Sequence, residues 1–382
     1  MTTLAINPDE GRYHRQELIS WWDQDRLRAA RVLVVGAGAL GNEIVKNLAL
    51  LGVGLIEIVD MDKVEHSNLA RCVLFSDSDQ GRYKADVVAE RAAAMNPDVR
   101  TRSHHTKVER LGLGYLRHFD LVIAGLDSRE ARLWVGTACR KLGKTWIDGA
   151  IEGLRGLARV FPPTGACYEC TLGEADRAIL SSRRSCALLS VAEMRTGHVP
   201  TNATTASVIA AVQVQEAVKL LVGRDDLVAL FNRSFNFTGD VMDTYNVDYV
   251  EDESCLSHDR YSNVMSLEIE ESATARDILG LVAAEPDAVI GFEDDLVLAG
   301  KCHECDRTVD LLAFRSALAS GSGECVCGTA LTLEAVRTMT ATDPIAALPL
   351  NNWHPALEEL VTIRTSAGRR HVAVAFEGRH HP

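Results

Sequence analysis

The sequence predicts an α/β fold: an open, mainly parallel sheet flanked by helices, followed by a smaller α+β domain. Three observations carry this. Residues 31 to 165 alternate short apolar runs with helical patterns, the order expected of successive βαβ units. Within them, VLVVGAGALGNEIVKNLALLGVGLIEIVDMD reads as strand, glycine turn, helix and strand. Beyond His258 the alternation gives way to paired cysteines and shorter strand candidates.

Residues 1 to 30 carry RYHRQ (12–16) and a short helical run with Trp21, Trp22 and Leu27. Val32 to Val35 form a continuous apolar run, as a strand buried on both faces does. Gly36, Gly38 and Gly41 make a G-x-G-x-x-G turn, and Ile44, Val45, Leu48 and Leu51 line one face of the helix it opens. Leu55 to Val59 form a second strand ending in Asp60, an acid placed to bind ribose hydroxyls. Further strands are expected at 120–126, 145–147 and 157–161. From Cys167 to about Val199 runs a polar loop with Arg183, Arg184, Ser185 and Cys186 near its middle. Thr201 or Asn202 can cap the next helix, which carries Val208, Ile209, Val212 and Val218 and stops at Gly223. Past His258, SLEIEE alternates like a strand, Ser272 or Thr274 can cap ARDILGLVAAE, and VTIRT and HVAVAF are the last strand candidates.

The glycine turn alone most often marks a dinucleotide oxidoreductase. The residues beyond Asp60 point elsewhere. Asp62, Asn68, Arg71 and Lys84 come next, then Asp127 at the end of DLVIAGLD. An amide and two cations can neutralise a triphosphate, and a strand-end carboxylate can hold Mg²⁺. Each residue alone has an ordinary reading: a turn Asn, solvated cations, an Asp capping a helix.

Taken together, RYHRQ, GAGALGNE (36–43), DMDKVEHSNLAR (60–71), GRYKA (81–85) and GLDSREAR (125–132) resemble the ubiquitin-activating enzyme superfamily, which includes ThiF and MoeB. The resemblance covers roughly the first two-thirds of the chain and is nearest in wording to activating enzymes of ubiquitin-like proteins. It implies a Rossmann-like adenylation domain over residues 1–258, with a catalytic-cysteine loop at about 167–200. It gives Asp60 the ribose, Asn68, Arg71 and Lys84 the phosphates of ATP, and Asp127 the Mg²⁺. Arg15 would reach into the partner subunit's site in a homodimer, and Cys186 would accept the activated acyl group. Two departures stand out: Cys72 replaces the usual Gln, and Ser128 the usual Asn. Neither removes a charge.

The activity implied is ATP-dependent adenylation of the C-terminal glycine of a ubiquitin-like protein, then thioester formation and transfer to a conjugating enzyme. An alternative ends in sulfur transfer to a carrier protein of thiamin or molybdopterin type. A dinucleotide-dependent oxidoreductase leaves Asn68, Arg71, Lys84 and Asp127 without a purpose.

Ten cysteines in a chain lacking a signal-peptide pattern point to metal more than to disulfides. Cys302 and Cys305 (CHEC) pair by proximity with Cys325 and Cys327 (CVCG) as a zinc-ribbon-like site. Cys167 and Cys170 (CYEC) are left to join Cys255 and His258 (CLSH), where the resemblance leads one to expect two cysteines. Residues 259–382 then read as a zinc-binding domain, in the position of a domain that recruits a conjugating enzyme. The net charge of −13 argues against nucleic acid as a general partner. No apolar run suits a membrane span, and a cytoplasmic location is expected. The low Lys and high Ala, Arg, Gly and Asp usage is typical of GC-rich bacterial genomes, where a conjugation operon in phage defence is one conceivable setting.

Overall fold

The computed structural model describes residues 11–173, 200–283, 285–318, 321–352 and 358–378. Two compact units emerge. One is built from the chain up to Lys107, Phe119–Thr171 and the segment ending at His258; the other from Val108–His118 and the segment beginning at Asp259.

The first unit holds α1 (His14–Glu17), α2 (Gln24–Ala29), β1 (Arg31–Val35), α3 (Ala39–Leu51), β2 (Leu55–Val59), α4 (Lys84–Met95), β3 (Arg100–His104), β4 (Leu121–Ala124) and α5 (Arg129–Leu142). It continues with β5 (Trp146–Glu152), β6 (Arg155–Phe161), α6 (Ala203–Leu221), β7 (Arg233–Thr238) and β8 (Asp243–Asp248). The eight strands form one sheet in the order β3-β2-β1-β4-β5-β6-β7-β8. It is parallel from β3 to β5 and antiparallel from β5 to β8.

Burial explains which strands are readable in the sequence. Every residue of β2 and all but the first of β1 are buried, and such strands are written as continuous apolar runs. Val32 and Val34 of β1 share a core with Ile44, Val45 and Leu48 of α3 and with Ile209, Val214 and Val218 of α6. The helices α3 and α5 end on Gly52 and Gly143 in the left-handed conformation, which glycine adopts without steric cost. Asn202, rather than Thr201, caps α6 by accepting the Thr205 amide at 2.8 Å.

The structure corrects several boundaries. Trp21 and Trp22 lie in the turn between α1 and α2 instead of on one helical run. The strand expected at 145–147 continues to Glu152 and folds back antiparallel on β6. Strands β3, β7 and β8 add to those expected from the sequence pattern.

The second unit contains β9 (Met265–Ile269), α7 (Ala275–Val282), β10 (Val289–Lys301), β11 (Thr308–Phe314), β12 (Thr332–Thr340), β13 (Glu358–Thr365) and β14 (Gly368–Phe376). Its six strands run β11-β10-β13-β14-β9, with β12 also paired to β10, and only β9–β14 is parallel. Thr274 caps α7 in a reciprocal capping box with Asp277. Ile278 and Leu279 of α7 pack with Ile290, Ile363 and Val374. Arg117 and His118 of the Val108–His118 segment both pair with Glu358.

Candidate active site and metal clusters

In the order β3-β2-β1-β4-β5, the strands are added first to one side of β1 and then to the other, so the strand order reverses between β1 and its parallel neighbour β4. Open α/β sheets bind ligands at that switch, outside the carboxyl ends of the strands. The glycine turn follows β1 there and Gly125-Leu126-Asp127 follows β4.

The three glycines serve different ends. At Gly36, where φ is +96°, a Cβ would stand 2.7 Å from the Gly125 carbonyl oxygen; at Gly41 it would stand 1.9 Å from that of Gly36. Both are required by backbone packing. At Gly38, the residue capping α3, no atom of the described residues beyond its own chain neighbours lies within 4 Å of the added carbon. This open ground at a helix N-terminus is where an anion can approach amide groups.

Asp60 closes the turn. Its carboxylate accepts the Ala37 amide at 2.7 Å and the Asp62 amide at 2.8 Å. Burial raises the Asp60 pKa, opposed by those two amides and by Lys84. Lys84, at the start of α4, pairs with Asp62 at 2.9 Å. Asn68 is buried, and its side-chain oxygen accepts the Glu65 amide at 3.0 Å. Arg71 donates to the Ser67 carbonyl and is half-buried. The fixed segment from Asp60 to Lys84 thus carries the amide, both cations and two of the acids on neighbouring turns.

Asp127 is exposed, and Ser128 caps α5 by accepting the Ala131 amide at 3.2 Å. The capping duty that the ordinary reading gives Asp127 belongs to its neighbour. Arg15 is exposed on α1. The guanidinium over the Tyr13 ring is that of Arg28, 5.3 Å from its centroid. Tyr13 itself anchors α1 through Asn96 and Asp98. Cys186 lies outside the described residues.

Comparison with known proteins fixes the lineage. The ThiF family profile matches residues 13–256 of the 382. The chain belongs to the ThiF family. A NEDD8-activating enzyme E1 catalytic subunit from Caenorhabditis elegans is 40% identical over 39% of this chain and 38% of its own length. A sulfur carrier protein adenylyltransferase from Thermus thermophilus is 40% identical over 42% of this chain and 62% of its own. A SAMP-activating enzyme E1 from Haloferax volcanii is 34% identical over 52% and 70%. This ThiF-family chain therefore spans less than two-fifths of the length of the NEDD8-type relative. Among solved structures, Escherichia coli MccB with ATP aligns at a TM-score of 0.55 and 22% identity, covering 66% of this chain and 75% of that one. At that identity the likeness is one of fold. The oxidoreductase reading gains no support from these relatives.

This member of the family also carries site-supporting residues that motif reading does not pick out. Asn42 of α3 donates to the Ala37 carbonyl at 2.8 Å and accepts the Leu74 amide at 2.9 Å, joining the glycine turn to the segment after Arg71. Fully buried Asp148 accepts from Arg132 at 3.1 Å and Arg159 at 2.9 Å. Arg132 also donates to the Leu126 and Gly149 carbonyls, fixing the residue before Asp127. Gln213 of α6 donates to the Ala124 carbonyl at the end of β4 at 2.9 Å. Asn42 and Arg132 had a sequence signal, their places in GAGALGNE and GLDSREAR; Asp148, Arg159 and Gln213 had none.

Two clusters of metal-ligating side chains stand among the described residues, each with donor atoms within 4.8 Å of one another. Cys167, Cys170, Cys255 and His258 form one; Cys302, Cys305, Cys325 and Cys327 form the other. In the first, Cys167 Sγ lies 3.6 Å from both Cys170 Sγ and Cys255 Sγ. In the second, the Cys302–Cys327 and Cys305–Cys325 sulfurs are 3.5 Å apart. Sulfur-rich sets of four converging donors suit a tetrahedral zinc ion. The two remaining described cysteines are buried alone: burial pushes the Cys72 thiol up to about 11 and the Cys139 thiol up to about 12. No described helix is long and apolar enough to cross a membrane.

Proposed function

We propose that this chain uses ATP to activate a ubiquitin-like protein at its C-terminal glycine, then carries it as a thioester. The observation that supports this most is the convergence at the β1/β4 switch: an open Gly38, Asp60 tied to the glycine turn, and Lys84 within reach of Asp62. Asp60 would bind the ribose, Asn68, Arg71 and Lys84 the phosphates, and Asp127 the Mg²⁺. These residues act by holding the triphosphate and neutralising charge, since nucleotidyl transfer asks little covalent chemistry of a protein.

A carboxylate oxygen of the partner's last glycine attacks the α-phosphorus, and pyrophosphate leaves. The Cys186 thiolate then attacks the acyl carbon, and AMP leaves. Among the described cysteines none competes well for that step. Seven sit in the two clusters, and Cys72 and Cys139 are buried with their thiols held neutral. Arg183 and Arg184 adjoin Cys186 in sequence and favour its thiolate. A homodimer would let Arg15 of one protomer serve its partner's ATP site. The two clusters would hold zinc, whose role is structural cohesion. Residues 259–382 would receive the conjugating enzyme.

A second reading, activation of a sulfur carrier, is favoured by the 40% identity to a sulfur carrier protein adenylyltransferase. One experiment separates the two. The chain is incubated with ATP, Mg²⁺ and each candidate small protein ending in glycine, and pyrophosphate exchange and the product are monitored. Exchange with a thiol-sensitive enzyme adduct supports the first reading. Exchange with a thiocarboxylate when a sulfur donor is added supports the second, and no exchange with any candidate contradicts both.

A further inference from the structure

The Cys167, Cys170, Cys255 and His258 cluster has an imidazole in one corner, and the side chains behind that corner form a relay. His258 Nε2 lies 3.2 Å from Cys170 Sγ, so it is the nitrogen aimed into the donor set. Nδ1 lies 3.4 Å from Glu251 Oε1. That same oxygen accepts from Arg140 Nη2 at 3.0 Å. Arg140 Nη1 in turn donates to the Gly165 carbonyl at 2.9 Å, two residues before Cys167. The Arg140 side chain is 7% exposed, so the far end of the relay is fixed, while Glu251 is 43% exposed.

A neutral imidazole carries one proton. Ligation through Nε2 needs the lone pair there, so the proton must sit on Nδ1. A carboxylate facing Nδ1 stabilises that tautomer, fixes the ring plane and raises the basicity of the ligating nitrogen. A thiolate corner needs no such support, because it has no second nitrogen and no tautomer to select.

We propose that Glu251 is a positioning residue for this metal site, holding His258 in the Nδ1–H form with Arg140 as its anchor. This rests on reading the cluster as a zinc site. It identifies what accompanies the replacement of a thiolate by an imidazole in this chain.

The test is zinc release from the purified full-length chain to excess chelator, with total zinc measured beforehand. Glu251→Ala should release one of two zinc equivalents with affinity weakened about 10- to 100-fold. Glu251→Gln should keep most of the affinity, because its amide oxygen can face Nδ1–H from the same place. In a His258→Cys background, Glu251→Ala should have no further effect. Unchanged release from Glu251→Ala overturns the proposal. So does an equal loss in the His258→Cys background, which would mean that Glu251 acts through Arg140 on the fold. Should His258→Cys fail to fold, equal losses in Glu251→Ala and Glu251→Gln overturn it. A wild-type chain that purifies without zinc removes the underlying zinc reading, a result distinct from all of these.

Discussion

A carbon added at Gly41 would stand 1.9 Å from the Gly36 carbonyl oxygen, whereas two residues away from Gly36, at Gly38, the same carbon would touch nothing. The two positions look alike in the motif and should behave differently. Gly41→Ala forces apart the turn and α3, and overpacking of this kind costs about 1–3 kcal/mol or more. Gly38→Ala should cost about 1 kcal/mol or less, the difference between Gly and Ala as an N-cap. It should weaken ATP binding at least about tenfold, or 1.4 kcal/mol, by filling ground the phosphates need. Denaturation and nucleotide titration of both variants check this. Equal ATP affinity in Gly38→Ala and wild type would show that the nucleotide lies elsewhere.

The same contrast shows what is legible in the sequence. Local physics writes β1, β2, α3 and the caps plainly, because burial on both faces demands apolar runs and helix ends demand particular residues. Strand β3, RTRSH, pairs at the sheet edge with mostly half-exposed residues, so no apolar pattern announces it. Strand β8 is exposed throughout. Strand β10 is hidden by Glu293, Asp294 and Asp295 at its centre. The pairing with β12 shifts register there, and Asp295 meets Arg315 and Arg337. In the site, ligand-like residues close in sequence are readable from motif order. Asp148 and Arg159 are not, and the role of Arg132 at the end of GLDSREAR is not, since a buried charge triad is assembled only by tertiary packing.

The second metal cluster should hold its part of the chain together. Beyond the four thiols, the local apolar core around Cys302 and Cys325 has Leu331 as its one fully enclosed aliphatic side chain among the described residues. That is too little for independent stability, so zinc should supply the difference. Elemental analysis should find two zinc ions per chain. Cys302→Ser should lose one and lower the unfolding temperature of residues 259–382, with pyrophosphate exchange largely kept. Fewer than one zinc per wild-type chain would contradict both clusters.

Stability of the second unit should depend on pH through Glu359. The residue is partly exposed as a whole, but burial of its carboxyl dominates and, with Asp294 and Glu293 nearby, pushes it up to about 8. The amides of Leu360 and Leu113 pull the other way and do not offset it. Between 4.5 and about 8 the folded state keeps a proton that the unfolded state has released. Stability therefore falls as pH rises through that window. Glu359→Gln, which stays neutral, should match wild type near the acidic end and melt higher than it near pH 8. A difference independent of pH would show that Glu359 is ionised in the fold.

Arg15 should work across a subunit boundary. Arg15→Ala and Asp127→Ala homodimers should each be inactive in modifier-dependent pyrophosphate exchange. After subunit exchange, mixed dimers carry one site with both a good arginine and a good metal ligand, and about a quarter to a half of the activity per mixed dimer should return. Demonstrated exchange without recovered activity would mean that Arg15 serves its own chain.

The central claim is adenylation followed by capture on Cys186, and one gel assay addresses it directly. The chain is mixed with its modifier, ATP and Mg²⁺, and the products are resolved with and without a reducing thiol. Wild type should form a thiol-sensitive adduct. Cys186→Ala should form none while still exchanging pyrophosphate into ATP, because adenylation precedes the thiol step. An adduct that persists in Cys186→Ala, or the absence of any adduct in wild type under conditions that support exchange, would contradict the account.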